Sequence, residues 1–246
     1  MYHSLSYGKI ERKRERMNEF FETSSYAGVT ISLISYMLGV YLKKKFKIVL
    51  FNPLLISIAI TIVVLVVAKI DYSTYSESTK YLSWLLTPAT VCLAVPLYEQ
   101  LQILKEKWKA IILGILSGVI TSLTTVFILA KIMGLNHKEY VTLLPKSITT
   151  AIGMGVSEEL GGYVTITVAV IIITGVLGNI LAETICKVFK IKEPIAKGLA
   201  IGSAAHAIGT AKAMEMGEVE GAMSSLSIAV SGILTAVLAS VFAGFI

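Results

Sequence analysis

Seven apolar stretches, separated by short polar segments, dominate the pattern of the chain. A helix needs roughly 20 apolar residues to cross a bilayer, and these stretches have about that length. They occupy residues 26–42, 48–68, 81–98, 110–131, 163–186, 195–214 and 221–246. Two of them, 81–98 and 195–214, are rich in small or polar residues and contain Pro or Gly, and an eighth candidate, 140–156, is shorter and more polar. The pattern predicts an all-α integral membrane protein with about seven or eight membrane segments.

Composition supports this class and excludes others. Of the 246 residues, 55% are hydrophobic and 15% are charged, whereas a globular domain usually carries about 25% charged residues. The net charge of +6 comes from lysine clusters between apolar runs, so membrane topology explains it better than nucleic-acid binding. The two cysteines and three histidines lack metal-ligand spacing. We therefore expect no cofactor, no metal and no enzymatic activity.

The first 25 residues form a polar N-terminal tail in this interpretation, followed by one membrane domain over 26–246. The segment 1–16, MYHSLSYGKIERKRER, differs in character from the rest of the chain. Two interpretations stay open: translation starts at Met17 in the native gene, or the segment is a basic disordered tail.

Lysine counts in the loops predict an orientation. Loops 43–47, 99–109 and 187–197 carry four, three and four lysines, whereas 157–162 and 215–220 carry none. Lysine-rich loops favour the cytoplasmic side. All three can be cytoplasmic only if 140–156 enters and leaves the membrane on the opposite side. We therefore expect 140–156 to be a re-entrant hairpin or an interfacial helix, with 215–220 on the external side.

This orientation groups the spans into two trios, 48–131 and 163–246, that run in opposite senses. The middle member of each trio is the irregular one, 81–98 in the first and 195–214 in the second. Two inverted trios with interrupted central helices are typical of inverted-repeat secondary transporters. We predict such a bundle with two interrupted helices.

The two irregular spans supply candidate binding residues. In 85–100, LLTPATVCLAVPLYEQ, Pro88 breaks the helix pattern and is followed by Ala89 and Thr90. Irregular backbone at membrane depth requires protein or a watery cavity to satisfy it, which favours a site, although a simple proline kink is the alternative.

In 202–217, GSAAHAIGTAKAMEMG, glycines at 202 and 209 permit unwinding or close packing. His206 and Thr210 share a helix face. A histidine at membrane depth faces the bundle interior or water, so it either binds substrate or is a packed hydrogen-bonding group. Lys212 either contributes to the site, together with Gly209 and Thr210, or extends to the membrane interface.

A third candidate segment is LLPKSITTAIGMGVSEELGG, residues 143–162. Pro145 suits the first position of a helix, and the polar residues Lys146, Ser147, Thr149 and Thr150 follow it. A helix N-terminus with hydroxyls and a lysine binds anions readily. The alternative is an external loop anchored by an interfacial lysine. Further on, Glu183 receives no role, and Glu218 and Glu220 are expected at the start of the last helix.

Several long motifs, in order along the chain, resemble the LrgB/CidB family from about residue 25 to the C-terminus. They are NPLLISI (52–58), PATVCLAVPLYEQ (88–100), LLPKSITT (143–150), IITGVLG (172–178) and GSAAHAIGTAKAMEMGEVEGAMSSL (202–226). The resemblance implies a multi-pass, antiholin-like protein of the bacterial plasma membrane, paired with a small LrgA-type partner and linked to murein hydrolase activity and autolysis. It also implies kinship with carriers of small carboxylates such as glycolate, glycerate or pyruvate. The sequence departs from the family pattern at Ala151, Ala205 and Lys212.

Two functions follow as hypotheses. In the first, the protein carries a small organic anion, a pyruvate- or glycolate-like monocarboxylate, bound by the candidate residues of the three segments. In the second, it regulates a holin-like LrgA-type partner through helix contacts, and His206 is a packed polar group. Self-association into a homo-oligomer is compatible with either hypothesis.

Overall fold

The computed structural model describes residues 18, 21, 24, 26–46, 51–92 and 94–246. Nearly all of the predicted tail, 1–25, therefore lies outside the described residues, and so do the two interpretations of its first sixteen residues. Throughout the described part the secondary structure is helical, without strands, as the hydrophobic pattern predicts. The chain divides into two compact units, 1–90 and 91–246.

The first unit contains α1 (Ala27–Phe46), α2 (Pro53–Ala68), α3 (Tyr72–Ser78) and α4 (Lys80–Trp84), and α5 (Leu86–Cys92) begins in it. Asn52 caps α2 by accepting hydrogen bonds from the backbone N–H groups of Leu54 and Leu55. A Cβ atom placed on Gly39 would lie 2.7 Å from the carbonyl oxygen of Pro53, so glycine allows α1 to pack closely against the start of α2.

The second unit contains α6 (Ala94–Glu99), α7 (Leu101–Met133), α8 (His137–Leu143), α9 (Thr150–Glu159), α10 (Val164–Val188), α11 (Pro194–Met216) and α12 (Glu218–Ala243). Glu218 and Glu220 lie in the first turn of α12, as expected. Among the described helices, α7, α10 and α12 are long and apolar enough to cross a membrane, in agreement with three of the predicted spans. The predicted span 81–98 is interrupted by a turn at Leu85, between α4 and α5, so an irregularity is present, but Pro88 lies inside α5 and does not break the helix as predicted.

The segment 137–159 is a helical hairpin, which we call hairpin A. Its first arm, α8, begins beside the start of α10, because Lys138 Nζ lies 4.3 Å from the centre of the Tyr163 ring. Its tip, 144–149, lies deep in the bundle, because Ser147 Oγ is 3.2 Å from Ser122 Oγ, about three helical turns before the end of α7. The second arm, α9, then returns to the start of α10. This course agrees with the re-entrant hairpin, one of the two arrangements predicted for 140–156, and not with a single interfacial helix.

The segment 194–216 is a second hairpin, hairpin B, although it was predicted to cross the membrane once. Its backbone leaves helical geometry at His206, with φ 42° and ψ −141°. A Cβ atom on Gly209 would lie 3.1 Å from Ile201 Cγ2, and Ile201 packs in one apolar cluster with Ala213. In a continuous helix, Ile201 and Ala213 would be roughly 18 Å apart. The two arms, 194–205 and 207–216, therefore lie side by side.

The ends of hairpin B confirm this reversal. Lys197 of the first arm and Met216 of the second line the same cavity of about 750 Å³. Both arms also pack against α12 in opposite directions, because Gly198 contacts Met223 in the first arm and Gly221 contacts Met214 in the second. The prediction that 195–214 is a crossing is wrong, because two arms of about ten residues have the same hydropathy as one crossing of about twenty.

Hairpin B changes the predicted topology in one further place. Lys107 and Glu193 line a common cavity, so loops 99–109 and 187–197 lie at one end of the bundle, as their lysines predict. The loop 215–220 lies at this same end, because Glu220 pairs with Lys197, and not at the opposite end. The second half is thus a helix, a hairpin and a helix in place of three crossings.

This topology predicts the side from which single cysteines can be labelled in cells. In a variant that lacks Cys92 and Cys186, we expect Lys192→Cys and Glu218→Cys to react with a membrane-impermeant maleimide only after the cells are permeabilised, which exposes the cytoplasmic side. The exposed Glu159→Cys, at the mouth of hairpin A, should react in intact cells and serves as the matched control. Labelling of Lys192→Cys and Glu218→Cys from opposite sides would show that 194–216 crosses the membrane.

Candidate functional site

The tip of hairpin B is formed by His206 in a backbone conformation that favours glycine. At φ 42° and ψ −141°, a residue with a side chain is strained. The imidazole is buried, and its Nε2 lies 3.0 Å from the carbonyl oxygen of Ile171 in α10, where the Nε2–H tautomer donates a hydrogen bond. Gly175 makes room for it, because a Cβ atom there would lie 2.7 Å from His206 Cε1. A strained histidine locked in place by one helix carbonyl is a feature typical of functional sites.

The backbone groups around the reversal are satisfied by neighbouring polar side chains. Thr210 Oγ1 donates to the carbonyl oxygen of His206 at 2.9 Å and is 2.7 Å from Ser224 Oγ in α12. Asn179 Nδ2 of α10 donates to the carbonyl oxygen of Ile208 at 2.7 Å. Gly209 is required at the corner, because a Cβ atom there would lie 2.5 Å from Ala205 Cβ. Thr210 therefore supports the tip through the backbone of His206.

The tip of hairpin A carries a lysine without a carboxylate partner. Lys146 Nζ donates to Ser147 Oγ at 2.9 Å, and Ser147 is buried beside Ser122. Among the residues that the structure describes, Lys146 makes no ion pair. Thr149 is the N-cap of α9 but makes no side-chain capping bond, and Thr150 begins the helix. A positive charge, two hydroxyls and a helix N-terminus thus occupy one tip, although Pro145 lies in the turn before the helix and not, as predicted, at its first position.

The two tips approach each other along the crossing helices. On α7, a Cβ atom placed on Gly118 would lie 2.8 Å from Ser203 Oγ of hairpin B, and Ser122, one turn further, is next to Ser147 of hairpin A. On α10, Ile171 packs against Gly153 of hairpin A through its side chain and accepts from His206 through its carbonyl. The tips are therefore separated by roughly one to two helical turns.

Lys212 lies away from the tips and is paired. Its Nζ is 2.6 Å from Glu183 Oε1 of α10 and 3.1 Å from Glu215 Oε2. Sequence reasoning gave Glu183 no role, because nothing in the local pattern shows that the second arm folds back along α10. The contacts of Lys212 are those of an ion pair that joins hairpin B to α10.

The structure does not join every predicted site residue to the tips. Pro88 and Ala89 are exposed residues of α5 in the first unit, and the side chain of Thr90 lies outside the described residues. In contrast, Ser122 and Ser203 were missed by sequence reasoning and lie at the tips. The spacing of Gly118 and Ser122 could have indicated this position, because they lie one turn apart on one face of α7. That face contacts Ser203 of hairpin B and Ser147 of hairpin A. No cluster of metal-ligating side chains occurs among the described residues.

Three apolar crossing helices and two opposed hairpins whose tips carry polar residues define a multi-pass protein of the cell membrane. The LrgB-like family model matches residues 32–245, so the chain belongs to this family. It is similar to the antiholin-like protein LrgB of Bacillus cereus (strain B4264), with 41% identity over 222 residues, covering 90% of this chain and 96% of the relative. The antiholin-like protein LrgB of Bacillus anthracis (strain CDC 684 / NRRL 3495) is similar to the same extent, at 41%. No solved structure matches the chain.

The strained backbone of His206 predicts an unusual order of stability between two variants. His206→Ala loses the bond to Ile171 and keeps a Cβ atom in the strained conformation, whereas His206→Gly loses the same bond but relieves the strain. We expect the glycine variant to be the more stable by about 1 kcal/mol, or roughly 2–4 °C in the apparent unfolding midpoint in detergent. An alanine variant at least as stable as the glycine variant would contradict the reversal at His206.

The pairing of Lys212 predicts a measurable coupling with Glu183. In a double-mutant cycle of Lys212→Met and Glu183→Gln, we expect an interaction energy of about 1 kcal/mol in unfolding experiments. The cycle of Lys187→Met with the same glutamate is the control, because that pair is longer, at 3.6 Å, and Lys187 is 80% exposed. It should give close to zero. Equal coupling in the two cycles would contradict a specific Lys212–Glu183 pair.

Proposed function

We propose that the protein is a membrane carrier of a small organic anion, a monocarboxylate of the size of glycolate or pyruvate, bound between the tips of hairpins A and B. Lys146 balances the carboxylate, and Ser147, Thr149 and the first turn of α9 donate hydrogen bonds to it. His206 forms the opposite wall, at the start of the second arm of hairpin B.

The observation that carries this proposal is the unpaired Lys146 at depth in the bundle. A charged side chain inside a membrane protein is costly unless it has a partner or a function. Three lysines of the second unit have described ion pairs: Lys187, Lys197 and Lys212. The carboxylates that pair with them all lie towards the lysine-rich end of the bundle, away from Lys146. Lys146 has a neutral hydroxyl instead, so a bound anion would supply the missing charge.

Two hairpins that enter from opposite ends also suit alternating access. Each tip separates the proposed site from one side of the membrane: the tip of hairpin A contacts α7 through Ser122, and the tip of hairpin B contacts α10 through Ile171. Movement of one hairpin away from α7 would open the site to one side while the other hairpin keeps it closed. Transport by local rearrangement of hairpins follows from this arrangement as part of the proposal.

A second candidate function is supported by the names of the relatives. They are called antiholin-like, which favours a protein that regulates a holin-like LrgA-type partner and, through it, murein hydrolase activity and autolysis. The exposed apolar faces of α7 and α12 are compatible with such a partner in the membrane. The two functions are compatible if autolysis responds to the transported metabolite.

Uptake into proteoliposomes tests the carrier function. The purified full-length chain, with and without an LrgA-type protein, is assayed with labelled glycolate and pyruvate. We expect Lys146→Met to weaken apparent substrate affinity roughly tenfold to a hundredfold, because it removes a charge-assisted hydrogen bond in a buried site. Lys105→Met, which changes an exposed lysine near the start of α7, is the matched control and should behave as wild type.

The outcomes separate the two functions. Saturable uptake that Lys146→Met impairs and Lys105→Met does not supports the carrier. Absence of uptake by the wild-type chain in both preparations, with control of lysis unaffected by Lys146→Met and His206→Ala in cells, would leave the regulator as the function.

A further inference from the structure

Two serines of α12 are buried without a hydrogen-bond partner. Ser227 is 0% exposed and Ser231 is 1% exposed, and neither Oγ atom has a partner among the described residues. They belong to a polar face of an otherwise apolar helix, together with Ser224 and Thr235. The other buried serines of this region are satisfied: Ser224 Oγ is bonded to Thr210, and Ser225 Oγ donates to the carbonyl of Gly221 at 2.9 Å.

Hydrogen bonds within α12 do not account for Ser227 and Ser231, although they account for Ser225. Serines in helices often donate to the carbonyl one turn earlier, as Ser225 does. Ser227 and Ser231 have the same option in the same helix but do not use it. A buried hydroxyl that makes no bond leaves its desolvation cost uncompensated, so each such group calls for an explanation.

The two hydroxyls lie between the hairpins. Ser227 Cβ is 2.7 Å from the position of a Cβ atom on Gly202, one turn before the tip of hairpin B. Gly232, the residue after Ser231, is packed against hairpin A, because a Cβ atom there would lie 2.8 Å from Ile152 Cδ1. Ser227 and Ser231 therefore occupy the part of α12 between its contact with hairpin B at Gly202 and its contact with hairpin A at Ile152.

The charges around this space favour an anion over a cation. The acidic residues that the structure describes in the second unit lie towards the two ends of the bundle; the nearest on α12 is Glu220, about two turns before Ser227 and paired with Lys197. At the tips, in contrast, there are Lys146 and the N-terminus of α9. Among the described residues, a metal cation would meet these hydroxyls without a carboxylate beside them.

From these observations we infer that Ser227 and Ser231 bind a second oxygen of the transported anion, a hydroxyl or keto oxygen on the carbon next to its carboxylate. The inference rests on the proposed carrier function and names the two residues that would select among carboxylate substrates. Lys146 balances the carboxylate from hairpin A, and the two neutral hydroxyls on α12 complement a neutral oxygen. A hydroxyl both donates and accepts, so the pair suits 2-hydroxy acids and 2-oxo acids alike.

Selectivity against acids that lack this oxygen follows. Acetate is glycolate without its hydroxyl, and propionate is pyruvate without its keto oxygen. When such an acid binds, both serines stay unpaired in a closed site, which is the situation in which proteins reject an analogue most strongly. We expect acetate to compete for the site about a hundredfold less well than glycolate.

The test is competition against labelled glycolate uptake in proteoliposomes that contain the full-length chain. The measured quantity is the ratio of the acetate and glycolate concentrations that halve uptake, compared between wild type and variants in the same vesicles. We expect Ser227→Ala and Ser231→Ala to lower this ratio at least tenfold, through weaker competition by glycolate. Ser225→Ala, whose hydroxyl is satisfied within α12, is the matched control and should keep the wild-type ratio. An unchanged ratio in both serine variants would overturn the inference.

A second measurement does not depend on transport. In detergent without substrate, Ser227→Ala and Ser231→Ala should unfold at the same temperature as wild type or higher, because each removes an unpaired buried hydroxyl. Their stabilisation by added glycolate should be reduced. Lower unfolding temperatures for both variants would show that the hydroxyls are bonded within the protein and would also overturn the inference. If the wild-type chain carries neither glycolate nor pyruvate and neither stabilises it, the proposed function fails and this selectivity fails with it.

Discussion

The requirement that backbone polar groups be satisfied at membrane depth governs this structure. Inside a bilayer there is no water to bond a free carbonyl or N–H group, so a chain can reverse direction there only where side chains replace the missing helix bonds. The reversal at His206 meets this requirement. Thr210 donates to the carbonyl of His206, Asn179 of α10 donates to that of Ile208, and the imidazole itself is anchored on Ile171. These three side chains supply the hydrogen bonds that hold the reversal of segment 194–216.

Small residues allow the two arms of hairpin B to pack closely against each other and against α12. Two antiparallel arms of one hairpin, both packed against α12 and α10, leave little space between backbones. Gly198 and Gly202 lie directly against the backbone of α12, and Gly209 lies against the first arm. In lipid, close packing of this kind is a principal source of helix association, because burial of apolar surface gives no advantage between helices. The Gly- and Ala-rich composition of 202–217 is therefore explained by packing, and its histidine and threonine by the reversal.

The combination of two hairpins gives the protein a polar centre in an apolar bundle. Lys146 and Ser147 arrive from one end and His206 from the other, while α7, α10 and α12 supply Ser122, the carbonyl of Ile171 and the serines of the polar face. Among the described residues, Lys146 has no carboxylate partner and Ser227 and Ser231 have no hydrogen-bond partner, and each such group is costly inside a membrane protein. The match to the LrgB-like family model, over residues 32–245, covers all of these residues.

The sequence by itself determined the membrane class, the apolar helices of crossing length and the irregular character of 81–98 and 195–214, and it limited 140–156 to a re-entrant hairpin or an interfacial helix. These features follow from local hydropathy, from Pro and Gly, and from lysine counts that constrain which loops share a side. Only the tertiary structure decided that 194–216 folds back on itself, that Lys212 pairs with Glu183, and that Ser227 and Ser231 lack partners. Hydropathy cannot distinguish one long crossing from two short arms, because both bury the same apolar residues. Whether Lys212 finds a carboxylate, or Ser227 and Ser231 find hydrogen-bond partners, depends on which helices come into contact. No local pattern in the chain specifies those contacts.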